Sequence, residues 1–242
     1  MFSSIWHNLF FDPIYNLLIF FVGHIRDGDV GLAIIGAVIV VKTLLLPISI
    51  KAVKTQKIMK EIEPSLKEIK EKYKDNKEEQ AKAMMAIYKD AGMNPMASVF
   101  LVFLQIPIII ALYFAVYSGG GVALPEINTS LLYSWVATPV TVSMNFLGLL
   151  DITERSIVLA AAAGITQFFQ IKLSMPALKP KTDSAQPNFK DEFARNMQLQ
   201  MRYVMPFIIF VVAYSISAAI ALYFFVSNIV TLLQEFYVKK HR

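Results

Sequence analysis

Residues 31–50 read GLAIIGAVIVVKTLLLPISI, a stretch long enough to cross a bilayer that carries a single charge, Lys42. No acidic residue lies nearby in sequence to pair with it. A lone ammonium at membrane depth costs roughly 2.5–3.5 kcal/mol even on lenient insertion scales, so it is expected to face a wet cavity or to mark a functional site. Snorkelling is the bland alternative. Lys42 lies nine residues from Lys51, about 13 Å at the helical rise, a long reach to the headgroups.

The rest of the chain agrees with this stretch. In 242 residues, 56% are hydrophobic and only 17% charged, which excludes an ordinary soluble domain and implies a polytopic membrane protein. There is no cysteine, so disulfides and thiol chemistry are excluded. A helix needs about 20 apolar residues to cross the hydrocarbon core, and five segments come close: 31–51, 96–118, 156–175, 198–214 and 217–237. The last two are joined by a tight turn near Ser215–Ser217. The expected fold is an all-α membrane protein, a bundle of five transmembrane helices with an N-terminal interfacial helix (1–30) and a cytoplasmic helical hairpin (52–93).

Two apolar stretches are expected not to span. Residues 131–150, LLYSWVATPVTVSMNFLGLL, would reverse the next span and carry the basic Lys172–Arg195 stretch outward. They are placed instead at the outer interface, within an extracytoplasmic loop (119–155), where Tyr133 and Trp135 suit the headgroup region. In the N-terminal stretch, a helix from Pro13 to Ile25 would rise only about 20 Å, short of the core thickness.

The basic residues then orient the bundle. Eleven lysines lie in 51–89, six basic residues in 172–202 and three in the tail 238–242, whereas the other face has only Arg26 and Arg155. The positive-inside bias puts the N-terminus outside and the C-terminus in the cytoplasm, with a second cytoplasmic loop at 176–197. The net charge of +5 is thereby explained as topology, and no direct nucleic-acid binding is expected.

The first cytoplasmic segment is patterned as a helical hairpin. Ile58, Ile62, Leu66, Ile69 and Tyr73 recur at spacings of three and four, and Glu63/Lys67, Glu68/Lys72 and Glu78/Lys82 are favourable i,i+4 pairs. After the polar break 74–79, Met84, Ile87, Tyr88 and Ala91 line a second helix that ends at Gly92 and Asn94-Pro95. Pro64 either starts or kinks the first helix. Such a hairpin folds on itself or on the membrane surface, or serves as a cap whose methionines adapt to varied partners.

Within the spans, acidic residues are absent except Glu235 near the cytoplasmic end of the last one. Cation-coupled transporters usually use buried carboxylates. Here the inventory is Lys42 with the amides Gln105, Gln167, Gln170, Asn228 and Gln234. These residues could wet one cavity open to the cytoplasm, or each amide could make an interhelical hydrogen bond. Pro47, Pro107 and Pro206 each remove a helical hydrogen bond and free the carbonyl four residues earlier. The histidines at 7, 24 and 241 are scattered, and no phosphate-binding loop is present. No enzyme site, metal or cofactor is expected.

At this point the residues resemble a known family. Lys42-Thr-Leu-Leu-Leu-Pro47, the charged hairpin, Met84-Met85-Ala-Ile-Tyr88-Lys89 with Asn94-Pro95, Gln105-Ile-Pro107-Ile-Ile-Ile-Ala-Leu-Tyr113 and Leu222-Tyr223-Phe-Phe-Val-Ser227-Asn228 follow the order and spacing of the YidC/Oxa/Alb family of membrane protein insertases. The resemblance runs from about Pro13 to Tyr237. It implies an insertase and chaperone of the cell membrane, with a hydrophilic groove open to the cytoplasm that draws in a client's short polar segment while its apolar segment moves into lipid. Lys42 takes the place of the family's groove arginine, Gln105 matches its glutamine, and Tyr223, Ser227 and Asn228 match its last-span motif. The implied partners are newly made membrane proteins and the lipid bilayer, with a Sec-type translocon and the ribosome as further candidates. The short tail puts ribosome binding in doubt, and Val38 and Phe224 are apolar where some relatives carry hydroxyls. A small anion transporter or channel is the alternative reading, though no internal repeat of the kind such transporters show is visible.

Overall fold

The computed structural model describes residues 2–92, 96–118, 121–175 and 195–240. The expected hairpin end at Asn94-Pro95, most of the 176–197 segment and the end of the tail lie outside the described residues. The chain is an all-α membrane protein. Among the described residues four helical stretches are long and apolar enough to cross a membrane, and five if Val30–Leu44 and Leu46–Thr55 count as one broken span.

The chain forms two units, Met1–Leu44 with Ile106–Leu233, and Leu45–Gln105 with Gln234–Arg242. The first begins with α1 (Phe2–Trp6) and α2 (Asp12–His24), joined by a π-turn over His7–Phe11. The helix therefore starts well before Pro13, giving an apolar stretch from Ser3 to His24, longer than the sequence reading allowed. The wide turn accounts for this. Pro13 has no N–H, and the preceding Asp12 N–H bonds to the His7 carbonyl, five residues back, so the helix widens ahead of the proline rather than ending. The same π-turn brings the His7 ring nitrogen within 2.9 Å of the Asp12 carboxylate.

A second π-turn, Gln200–Val204, obeys the same logic. It leads into α8 (Met205–Ile216) with Pro206 in the first turn, and the Met205 N–H again bonds five residues back, to Gln200. After the extended residue Ser217 the chain reverses into α9 (Ala218–Lys240). The first unit also holds α3 (Val30–Leu44) and α7 (Ile157–Ser174). Helices α7, α8 and α9 pack through small residues, Ala160, Ala163, Ala213 and Ala221, flanked by Phe210, Phe224 and Phe225. Small side chains let membrane helices approach closely, so dispersion between backbones replaces the hydrophobic drive that lipid cannot supply. A Cβ on Gly164 would stand 3.1 Å from Phe210 Cβ.

After a 3-10 turn that ends at Leu131, residues 132–150 form no helix; they carry a short antiparallel pair, β1 (Asn145–Phe146) and β2 (Leu150–Asp151), and a bridge from Ser143 to Asp29. Several of their backbone polar groups are satisfied by the segment that leads into α3, where the Val30 N–H donates to the Ser143 carbonyl, and by the buried side chains of Asp29 and Asn16. Asn16, fully buried, donates to the Leu131 carbonyl at 2.9 Å and accepts from the Tyr133 N–H at 2.6 Å. The N–H groups of Ala218 and Ala219, orphan donors at the start of α9, bond to the carbonyls of Glu154 and Ile152. Contacts also run in order along α2: Tyr15 meets Asn128, Asn16 meets Leu131 and Tyr133, Phe20 stacks on Trp135, and Gly23 lies beside Pro139.

In the second unit, α4 (Leu46–Lys72) runs from Pro47 in its first turn through Pro64. The expected single span is thus broken at Leu45, because Pro47 cannot bond back into α3. Beyond the break the helix continues without interruption into the charged segment. After the turn at 73–76, α5 (Lys77–Asp90) is capped by Asn76, whose side chain accepts from the Glu79 N–H. Gln80 ties the two helices by donating to the carbonyls of Lys70 and Tyr73. Lys82 meets Glu78 at 2.7 Å. Finally, α6 (Met96–Tyr117) has 22 residues, of which those up to Gln105 belong to the second unit and those from Ile106 to the first.

Candidate functional site

Lys42 lies in the last turn of α3 and is partly buried. Its Nζ donates to Thr231 Oγ1 on α9 at 3.2 Å. Thr231 donates its own proton to the Ser227 carbonyl at 2.8 Å, which leaves hydroxyl lone pairs for the ammonium. Ser227 is buried and its side chain is a hydrogen-bond partner of the Tyr223 hydroxyl. Residues 223, 227 and 231 are spaced by four, so they form one stripe of α9. The result is a track of hydroxyls along one side of α9, with the Lys42 ammonium against it.

Thr231 was not singled out from the sequence. The signal was its place four residues after Ser227, but threonine is common in membrane helices, where its hydroxyl bonds to the i−4 carbonyl and usually has no further role.

The other amides divide. Asn228 is buried and turned toward α7, donating to the Ala163 carbonyl and to Thr166 Oγ1, both at 3.3 Å. It therefore clamps α9 to α7. Gln167 donates to Gln170 at 3.1 Å, and Gln170 to Ser174 at 3.1 Å, so these bonds run along α7 itself. Gln105 lies on α6 in the second unit and is partly buried. Of the three prolines, Pro47 opens α4, Pro107 lies inside α6 and Pro206 opens α8. Val38, one turn before Lys42, is buried and apolar.

Chemically, the track can offer charge-assisted hydrogen bonds from Lys42 and neutral bonds from hydroxyls, a combination suited to holding a carboxylate or a polar backbone transiently. Among the described residues there is no group of three or more histidine, cysteine or acidic side chains that could hold a metal ion.

Comparison with known proteins gives a consistent picture. The family model described as 60Kd inner membrane protein matches residues 21–242. A protein of Oceanobacillus iheyensis named "Membrane protein insertase YidC" is 32% identical over 98% of this chain and 85% of its own length. A protein of the same name from Alkalihalophilus pseudofirmus is 30% identical over 97% of this chain and 82% of its own. A longer one from Rickettsia conorii is 26% identical over 97% of this chain but only 39% of its own length.

Proposed function

Because the chain belongs to the 60Kd inner membrane protein family, we propose that it is a membrane protein insertase, which moves newly made membrane proteins into the bilayer and assists their folding. The names of its relatives support this reading. The observation that carries the mechanism is the Lys42 ammonium held against the hydroxyl track of α9. A client's short acidic or polar segment is drawn to this charge, exchanging water for the hydrogen bonds of Lys42 and Thr231, with the buried Ser227 and Tyr223 continuing the hydroxyl stripe, while its apolar segment partitions into lipid. Gln167 and Gln170 extend the polar lining, and Asn228 holds its walls together. Gln105 is proposed as a client contact on sequence grounds alone.

The proposed topology has an extracytoplasmic N-terminus, spans at 31–51, 96–118, 156–175, 198–214 and 217–237, and a cytoplasmic C-terminus. The helix pair within 52–93, the 176–197 segment and the tail face the cytoplasm, and the 119–155 loop faces outward. The ordered contacts of α2 with residues 128–139 support a placement of α2 across the outer face, beside that loop. Trp6 against Phe114, near the end of α6, supports the same placement for α1. A Sec-type translocon and the ribosome are proposed as further partners at the cytoplasmic side.

Insertion needs no covalent step: its drive is partitioning of the apolar segment. A membrane potential adds roughly 2.3 kcal/mol per charge per 100 mV for acidic segments moving outward. The test is protease protection of a short single-span client added to liposomes with and without the purified chain. Protection well above that of empty liposomes is expected; equal protection in both would refute the proposal.

A further inference from the structure

The twenty residues 131–150 contain no charged side chain. Their polar backbone is turned inward onto Asn16, Gly28, Asp29 and Val30, and large apolar side chains are left outside: Trp135 is 62% exposed, Leu147 56% and Leu149 83%. Two of these, Leu147 and Leu149, belong to an unusual turn. The Leu149 N–H donates to the Phe146 carbonyl at 3.0 Å, and both central residues, Leu147 (φ 52°) and Gly148 (φ 70°), are left-handed. Turns of this kind favour glycine, asparagine or aspartate, and a leucine there is strained. Burial within the protein does not repay that strain, because the leucine points outward.

Asp29 holds the turn in place. Asp29 is 6% exposed; one carboxylate oxygen accepts the Leu147 N–H at 2.7 Å and the other accepts the Leu32 N–H at 3.0 Å, in the first turn of α3. Phe146 packs on Gly31, where a Cβ would collide with its ring. The tip is therefore fixed beside the first turn of α3, the end of that helix assigned to the outer face in the topology proposed above. We propose that Leu147 and Leu149 form a fixed wedge inserted into the outer interface of the lipid bilayer. Three features select lipid over a protein partner: the uncharged stretch, continuity with the end of a membrane-spanning helix, and the adjoining aromatic group of Phe20, Tyr133 and Trp135, residues suited to the headgroup boundary. The wedge sets the depth of the outer loop and, through Asp29, of α3. This inference rests on the topology proposed above.

The absence of cysteine makes single-cysteine labelling clean. Leu149→Cys, the exposed loop position Glu126→Cys and the mid-helix Ile39→Cys would each carry an environment-sensitive fluorophore in phosphatidylcholine/phosphatidylglycerol vesicles containing nitroxide lipids. The expected result is blue-shifted emission at 149, quenched more by shallow than by deep nitroxides, with aqueous emission at 126 and deep quenching at 39. Adding Leu147→Asn, which suits the turn better, should reduce quenching at 149 without lowering thermal stability. Aqueous emission at 149, or a blue shift that nitroxide lipids do not quench, would overturn the wedge; the second would indicate a second copy or a client as the occupant. If 39 is quenched and 149 is not, only the wedge falls, whereas escape of both removes the spanning assignment as well.

Discussion

Replacing Asn16 by leucine should loosen the outer loop from α2 without opening a cavity, since the two side chains share the same branched shape and leucine is the larger. Asn16 is fully buried and makes two long-range hydrogen bonds, to the Leu131 carbonyl and from the Tyr133 N–H. Each is worth about 1 kcal/mol net if water reaches the released group, and about 1–3 kcal/mol if the group stays dry and unpaired. Tyr133 lies at the edge of the exposed surface, so its N–H can be rehydrated, whereas Leu131 is partly covered. The expected loss is therefore about 2–4 kcal/mol. At about 2–4 °C per kcal/mol for a chain of this size, the melting temperature should fall by about 5–15 °C. Thermal unfolding in detergent, followed by the fluorescence of Trp135 in a Trp6→Phe background, measures this shift, and limited proteolysis should show new cleavage in 121–155 before elsewhere. A fall of under about 2 °C, with unchanged proteolysis, would refute the argument that Asn16 pins the loop.

Further expectations concern packing and the polar track. Gly31→Ala sets a Cβ against the Phe146 ring and should cost about 1–3 kcal/mol, recovered in part by adding Phe146→Ala. Gly28→Ala should be worse and beyond such rescue, because its φ is +66° and its neighbour is the Thr141 backbone; melting curves of the three variants beside wild type distinguish the cases. Asn228→Leu removes the bonds to Ala163 and Thr166 and should destabilise by about 0.6–2 kcal/mol in denaturant titrations. Thr231→Val removes the hydroxyl that accepts from Lys42 and should lower client insertion severalfold, whereas Thr231→Ser should retain it; equal activity of the two would exclude a role for that hydroxyl.

The membrane class was legible because a 20-residue apolar period is hard to mistake, and Lys42 stood out because a buried charge is costly wherever it lies. Details governed by proline were harder to read. Pro13 looked like a helix start, but the π-turn before it lets the helix run back to Phe2; Pro47 looked like a kink near the end of one span, but the helix breaks at Leu45 and continues into the charged segment. In both cases sequence marks the missing N–H without saying how neighbouring carbonyls are satisfied. Thr231 and Asp29 were missed for a related reason. Their roles come from partners 189 and 118 residues away in sequence, at Lys42 and Leu147, and nothing local distinguishes them from an ordinary helical threonine or N-terminal aspartate.

The central claim is that the Lys42 charge draws in polar client segments. The direct measurement compares the wild-type chain with Lys42→Arg and Lys42→Leu for insertion of a single-span client whose outer segment is acidic, and of the same client with that segment neutralised. The account predicts that wild type and Lys42→Arg insert the acidic client efficiently, that Lys42→Leu largely fails on it, and that the defect shrinks for the neutral client. Equal insertion by all three chains would contradict it and assign the work to apolar sliding or to the α4–α5 pair.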